Sequence, residues 1–278
     1  MRLRPSAPVL RRRSSGFALI IVLWTLVLIA FIVVHLTASG RTEIRIASNL
    51  VANAVTQAAA DGAIFEAIFN QSDPQPDRRW PVDGKARELA IGNSRVTLRL
   101  EDEASWINPN SASPALLEAL LRLTGSDAES ARRLASAIGE WVGSAPAPRP
   151  RNVTLPEYQA AGLDYGPPVA PLETLDELGR VLGMTPAILA AIRPHLTLFG
   201  PPQPSAATAD PVVAAALAES PQATAVSAAA QPPPDVVTTR ITATASGPSN
   251  ARLTRFAIVR LGAALPRGYE VLAWGNGF

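Results

Sequence analysis

The chain has 278 residues with 47% apolar side chains, no cysteine, two histidines and a formal net charge of +2. The missing cysteine excludes disulfides, thiolate zinc sites and cysteine nucleophiles. Without the basic stretch 1–16, which holds five arginines, the chain carries 20 basic and 23 acidic side chains, a net charge of −3, so overall charge gives no support for nucleic-acid binding.

An uninterrupted apolar run begins directly after Gly16. Residues 17–36 are about twenty residues long, enough for a helix to cross a ~30 Å hydrocarbon core. The run is longer than the apolar core of a secretory signal, and the glycine precedes it. Cleavage between Gly16 and Phe17 would remove the leader 1–16 and keep the whole helix. This pattern resembles the leader of type IV pilins and type II secretion pseudopilins, which prepilin peptidase cleaves after such a glycine and then N-methylates; an uncleaved signal anchor is the alternative.

The helical pattern continues beyond the apolar run. No proline lies between Pro8 and Pro74, and apolar residues recur with a period close to 3.6. We predict one helix over residues 17–70, with a transmembrane first half and a second half that packs one apolar stripe onto a domain. The residues of this predicted stripe are Ile44, Ala47, Leu50, Val51, Ala54, Val55, Ala58, Phe65, Ile68 and Phe69.

The predicted strands come from two distant parts of the sequence. Residues 95–100 alternate polar and apolar side chains, and similar patterns return at 240–245, 253–261 and 269–274. A sheet divided in this way implies an inserted helical domain. We therefore predict that residues 71–104 and 235–278 form one small α+β domain, that 105–199 are an all-helical insertion, and that the Pro- and Ala-rich segment 200–234 is a linker.

Helix signals fill the predicted insertion. Ser113 precedes Pro114 as an N-cap, and Ser126 is the N-cap candidate of a second helix from about Asp127 to Trp141. Residues 171–178 begin another helix, and Thr185 caps the next one. These units predict a SAM-like or helix-hairpin-helix-like domain.

Several motifs in this order resemble the K-type minor pseudopilins of type II secretion. The resemblance covers nearly the whole chain and rests on residues 15–19, 41–43, 108–114, Tyr158 with Pro167 and Pro168, 174–178, 181–185 and 271–274. It implies a pilin-like fold and a non-catalytic subunit of the general secretion pathway, at the pseudopilus tip, that initiates or caps assembly for protein export across the outer membrane. It further implies a single-pass inner-membrane protein with a periplasmic C-terminal domain. The implied partners are I- and J-type minor pseudopilins, the major pseudopilin and prepilin peptidase.

The fifth mature position fits the resemblance. Most pilins and pseudopilins carry a glutamate there, whose carboxylate neutralises the N-terminal ammonium of a neighbouring subunit, whereas this chain has Ile21. A carboxylate in the membrane without a partner is costly, so a subunit with nothing ahead of it can lose the glutamate without penalty. In K-type proteins the absence accompanies a proposed tip position.

The resemblance also suggests calcium as a ligand. Similar proteins bind calcium in this domain, often with an aspartate-rich stretch after a helix that ends in tryptophan. Here Glu140 and Trp141 are followed by residues 142–150, which contain no carboxylate. Glu140, Glu157 and Asp164 remain weak candidate ligands for this oxygen-seeking cation.

Three other classes compete with this interpretation. A minor pilin of a type IV pilus would share most of these features. A membrane-anchored helix-hairpin-helix protein would bind DNA phosphates, but the hairpin candidates at Gly125 and Gly183 have one glycine each and no basic cluster. No catalytic motif occurs, and the acidic run 101–103 is interpreted as a solvated turn, so we predict that the chain is not an enzyme.

Overall fold

The computed structural model describes residues 15–73, 75–144, 151–220 and 236–277, without the side chains of residues 15, 16, 36–42, 76 and 151–154. Contacts divide the chain into two compact units, one up to Ala54 and one from Val55 onward. Residues 1–14 of the predicted leader lie outside the described residues.

Helix α1, Ser15–Gln71, is the first element and extends through the unit boundary. In the first unit, Phe17–His35 has a mean hydropathy of 3.2, and none of it is buried. The hydroxyl of Thr25 donates to the carbonyl oxygens of Ile21 and Val22 at 3.0 and 2.8 Å, so this polar side chain is satisfied within its own helix. Among the described residues, this is the one helix long and apolar enough to cross a membrane.

The second unit combines the end of α1 with a five-stranded antiparallel sheet and a set of short helices. The strands are β1 (Arg87–Ile91), β2 (Ser94–Asp102), β3 (Val237–Ser246), β4 (Arg252–Leu261) and β5 (Tyr269–Asn276), and their order in the sheet is their order in the chain. The helices are α2 (Pro114–Leu123), α3 (Ala128–Val142), α4 (Arg151–Ala160), α5 (Pro186–Ile192) and α6 (Pro211–Glu219).

The sheet closes across the insertion. Strands β2 and β3 pair from Arg95 opposite Ser246 to Asp102 opposite Thr239, although all of α2 to α6 lies between them in sequence. The predicted split sheet is therefore present, and the α+β class is confirmed. Strand β1 was not predicted; it forms a hairpin with β2 through Gly92, which has a left-handed φ of 55°.

The face of α1 that packs on the sheet differs from the predicted one. The buried residues are Ala59, Ala60, Ala63, Ile64, Ala67 and Ile68, against Val96, Leu98, Leu100, Ile241 and Ala243. Of the predicted stripe, Ile68 alone belongs to this core, and Val55, Ala58, Phe65 and Phe69 are exposed. Four of these six buried helix residues are alanines, which let the helix backbone approach the sheet closely, whereas Phe65 and Phe69 lie on the opposite side.

A second hydrophobic core lies within the insertion. Leu116, Leu120, Leu134, Ile138 and Leu178 are among its buried members. Ser113 caps α2 as predicted, accepting a hydrogen bond from the Leu116 N–H at 3.3 Å.

Two predictions for the insertion's helices need correction. The N-cap of α3 is Asp127 rather than Ser126, and hydrogen bonds from the backbone N–H groups of Ser130 and Glu129 to its carboxylate lower the pKa of Asp127. The predicted helix over 171–178 is a 3-10 helix, Leu175–Arg180, which begins with a capping box between Thr174 and Glu177.

The predicted linker over 200–234 is also corrected. Its residues 211–219 form α6, which Asp210 caps by accepting from the N–H groups of Val212 and Val213. Val213 and Ala216 are wholly buried in the core of the insertion. Composition hid this helix because its buried side chains are small. Residues 221–235 lie outside the described residues.

An aromatic cluster joins α3 to the segment after it. The ring centroids of Trp141, Tyr158 and Tyr165 lie 6.0 to 6.3 Å apart. The Tyr158 hydroxyl accepts a hydrogen bond from the Leu182 N–H at 3.1 Å. Burial raises the pKa of Tyr158, the hydrogen bond from Leu182 opposes that rise, and the negative charges of Glu140 and Glu157 add to it. Both carboxylates therefore lie close enough to Tyr158 to raise the pKa of its phenol.

The close approach of α1 to the sheet predicts a strong size limit at Ala63, which is wholly buried. We expect Ala63→Leu to lower the free energy of unfolding by about 1–3 kcal/mol, because added methylenes overpack a filled interface. Ala58→Leu, on the exposed side of the same helix, is the matched control. Urea unfolding of the detergent-solubilised chain measures both, and equal losses would contradict the packing described here.

The raised pKa of Tyr158 predicts a loss of stability at alkaline pH. The folded state favours the neutral phenol, so this contribution is complete below the unfolded pKa near 10 and disappears as pH rises through the folded pKa. Wild type should therefore lose unfolding free energy relative to Tyr158→Phe between about pH 8 and pH 11. Urea unfolding at both pH values measures this loss, and Tyr269→Phe is the control for removing a different tyrosine hydroxyl. A difference in unfolding free energy between wild type and Tyr158→Phe that stays constant with pH would refute the prediction.

Candidate assembly surface

The predicted processing residues lie at the start of α1. Gly16 and Phe17 are consecutive residues of its first turn, and the Phe17 side chain is 69% exposed. Ile21 is also exposed, as is every described side chain of the run from Phe17 to His35. Exposing an apolar surface of this length to water is unfavourable, so it requires lipid or other apolar helices around it.

In the second unit, α1 carries apolar side chains on the face that points away from the sheet. We call Val55, Ala58, Phe65 and Phe69 the outer stripe; Phe65 is 54% exposed and Phe69 is 79% exposed. Together with Gly62, these positions are spaced alternately by three and four residues, the repeat that keeps one seam of a helix facing a partner helix. A solvated helix face would instead carry polar residues at these positions.

The edge strand β5 borders the outer stripe. The rings of Phe65 and Trp274 lie 5.3 Å apart, which holds Phe65 in place. The Nε of Arg255 donates to the Asp61 carboxylate at 2.9 Å, and its guanidinium carbon lies 5.9 Å from the centre of the Trp274 ring. The stripe is therefore an ordered surface, with an ion pair on the side next to the sheet.

The structure does not assemble the three candidate calcium ligands into one site. Glu140 is buried near the end of α3, whereas Glu157 and Asp164 are exposed. The charges of Glu140 and Glu157 both raise the pKa of Tyr158, but Asp164 does not contribute to that rise. Among the described residues, no group of three acidic or histidine side chains could hold a metal ion. Because a calcium ion needs several oxygen ligands, these residues by themselves do not fit it.

The acidic run 101–103, at the end of β2, differs from its interpretation as a solvated turn. Glu103 is wholly buried and forms an ion pair with Arg240, 2.7 Å from carboxylate oxygen to Nε. Sequence reasoning missed this pair because its members are far apart in the chain. The buried residues Val96, Leu98 and Leu100 of β2 occupy even positions. Their alternation therefore does not predict that residue 103, at an odd position, is buried.

Two comparisons with known proteins bear on this architecture. The family model described as type II secretion system (T2SS), protein K, matches residues 95–202, which include β2 and most of the insertion. No curated protein matches the chain.

A solved structure matches more of the chain. The match is to one chain of the crystal structure of the GspK-GspI-GspJ complex from the enterotoxigenic Escherichia coli type 2 secretion system, with a TM-score of 0.54 and 16% identity. It covers 86% of this chain and 99% of the matched chain. At that identity the likeness shows the fold, and it confirms the α+β pseudopilin architecture expected from the sequence. Taken with the family match over residues 95–202, it confirms the resemblance to the K-type minor pseudopilins of type II secretion that the sequence motifs indicate.

Proposed function

We propose that this pseudopilin is a non-catalytic assembly subunit at the tip of the type II secretion pseudopilus, where it initiates or caps the filament. The observation that carries the proposal is the outer stripe of α1. An ordered row of exposed apolar side chains at helical seam spacing is suited to packing against another helix. A catalytic role would need a reactive cluster, and the function proposed here needs none.

Maturation follows from the order of the N-terminal residues. Prepilin peptidase would cut between Gly16 and Phe17 and methylate the new N-terminus. The helix from Phe17 onward would then anchor the protein in the inner membrane, with the second unit in the periplasm. Calcium binding stays a prediction of the family resemblance, and no step of the proposed function depends on it.

The expected partners are I- and J-type minor pseudopilins, followed by the major pseudopilin. The solved relative was crystallised in a complex with GspI and GspJ, which supports this choice. Ile21 supports a tip position, because a subunit with no neighbour ahead of it has no ammonium for a carboxylate to neutralise. The bulky insertion would also block the addition of a further subunit above it.

The outer stripe predicts a specific loss of assembly. We expect Phe69→Ser to weaken association with the I- and J-type partners roughly 10- to 100-fold, because burying a phenylalanine side chain contributes about 1.5–3 kcal/mol. Leu123→Ser, which removes a 40% exposed apolar side chain from the insertion, is the matched control. Co-purification with both partners measures the effect, with circular dichroism as a check on folding. Equal binding by the two variants would rule out the stripe as the contact.

The mature N-terminus tests the proposed processing directly. Mass spectrometry of the protein expressed with prepilin peptidase should find a methylated Phe17 as the first residue, and expression without the enzyme should leave the leader uncut. An intact Met1 under both conditions would indicate a plain signal anchor. A start near Gly40 would indicate an ordinary secreted protein and would refute the proposed function.

A further inference from the structure

Two neighbouring segments of the insertion lie where it contacts the sheet, and together we call them the neck. We call residues 103–108 the outgoing segment and residues 195–200 the returning segment. The Ile107 N–H donates to the His195 carbonyl at 3.0 Å, and the Thr197 N–H donates to the Ile107 carbonyl at 2.9 Å. Asn108 adds side-chain hydrogen bonds to the carbonyl oxygens of Leu198 and Gly200, at 3.3 and 2.9 Å. The two segments therefore form one hydrogen-bonded unit.

Glu103 connects this neck to the sheet. Its carboxylate is wholly buried, and each of its oxygens has a partner from a different part of the chain. Arg240 of β3 donates its Nε–H to Oε1 at 2.7 Å, and the Thr197 hydroxyl donates to Oε2. One side chain thus holds the outgoing segment, the returning segment and the sheet together.

The surroundings fix both members of the ion pair. The guanidinium carbon of Arg240 lies 4.4 Å from the centre of the Trp106 ring, so the cation is stacked as well as paired. At Gly200, a Cβ atom would lie 2.7 Å from the carbonyl oxygen of Glu103 and 2.9 Å from Thr197. The returning segment consequently lies directly against the backbone of Glu103, with no room for a side chain between them.

Neither of the two main hydrophobic cores extends across this boundary. The core of the insertion and the core between α1 and the sheet are separate clusters with no shared residue. A groove of about 590 Å³ lies between the outer face of the sheet, at Phe256 and Ile258, and the returning segment, at Leu196 and Phe199. Within the described parts of the chain, Glu103 with Arg240 is the ion pair that joins the sheet to the insertion.

We propose that the Glu103–Arg240 ion pair is a latch that fixes the orientation of the insertion on the sheet. A buried ion pair is a poor source of stability, because the cost of desolvation offsets much of the attraction, and apolar residues of similar size often serve as well. The pair instead restricts the orientation of the insertion relative to the sheet. A carboxylate held by two donors permits one such orientation, whereas apolar contacts across an open groove permit several. The insertion and the sheet then move as one body. This inference does not rest on the proposed function.

Distances between spin labels test the latch in the full chain in detergent. Because the sequence lacks cysteine, Arg95→Cys on β2 and Ala128→Cys at the start of α3 give two unique and exposed labelling sites. The labelled protein should show one narrow distance distribution by pulsed electron spin resonance. Adding Glu103→Leu and Arg240→Met should broaden that distribution at least twofold while the circular dichroism spectrum stays unchanged.

The matched control removes an ion pair that lies within the sheet. Glu270→Leu with Arg260→Met breaks the 3.0 Å pair between β4 and β5 and should leave the distribution narrow. A narrow distribution in the folded Glu103→Leu and Arg240→Met protein would overturn the latch. If that double variant fails to fold, Glu103→Gln, which keeps the shape and removes the charge, gives the decision: broadening supports the latch, and an unchanged width overturns it.

Discussion

The pairing of β2 with β3 is the constraint on which the rest of the second unit depends. Eight consecutive residue pairs join strands separated in sequence by the whole insertion. This pairing brings Leu98 and Leu100 beside Ile241 and Ala243, and so creates the apolar surface that α1 covers. It also brings the two sides of the neck to the same end of the sheet. Long-range strand pairing requires the closure of a long loop, so a compact insertion that holds its own ends together reduces the entropy lost when the sheet forms.

Helix α1 divides its side chains by size as well as by polarity. Alanines dominate the side against the sheet, whereas Phe65 and Phe69 point outward. This is the reverse of the usual arrangement, in which the largest apolar side chains are buried first. The cost of leaving two phenylalanines in water has a reason if a second helix covers them in the assembled state. Under the proposed function, the fold of the subunit already contains the surface for the next step of assembly.

The sequence predicted the elements better than their faces. Strict alternation identified β2 to β5, and capping residues identified α2 and α5, because these signals are local. Periodicity also found α1, but it could not decide which of two apolar faces packs on the sheet, since both repeat every 3.6 residues. Helix α6 was missed because Ala- and Pro-rich composition predicts a linker, and its burial depends on contact with α2. The Glu103–Arg240 pair joins residues 137 positions apart, so no local pattern could indicate it.

In the assembly proposed above, the two halves of α1 would recognise partners by different forces. Inside a bilayer, burial of Leu or Ile from lipid contributes little, so helices associate there through close packing and polar contacts. The hydroxyl of Thr25, within this apolar run, donates to carbonyl oxygens of its own helix, so that hydrogen is not available to a neighbouring helix. In water, by contrast, each covered phenylalanine contributes directly to association. In the proposed assembly, discrimination among similar pseudopilin helices is therefore expected to come from the outer stripe, and the apolar run would add a general tendency to join a helix bundle.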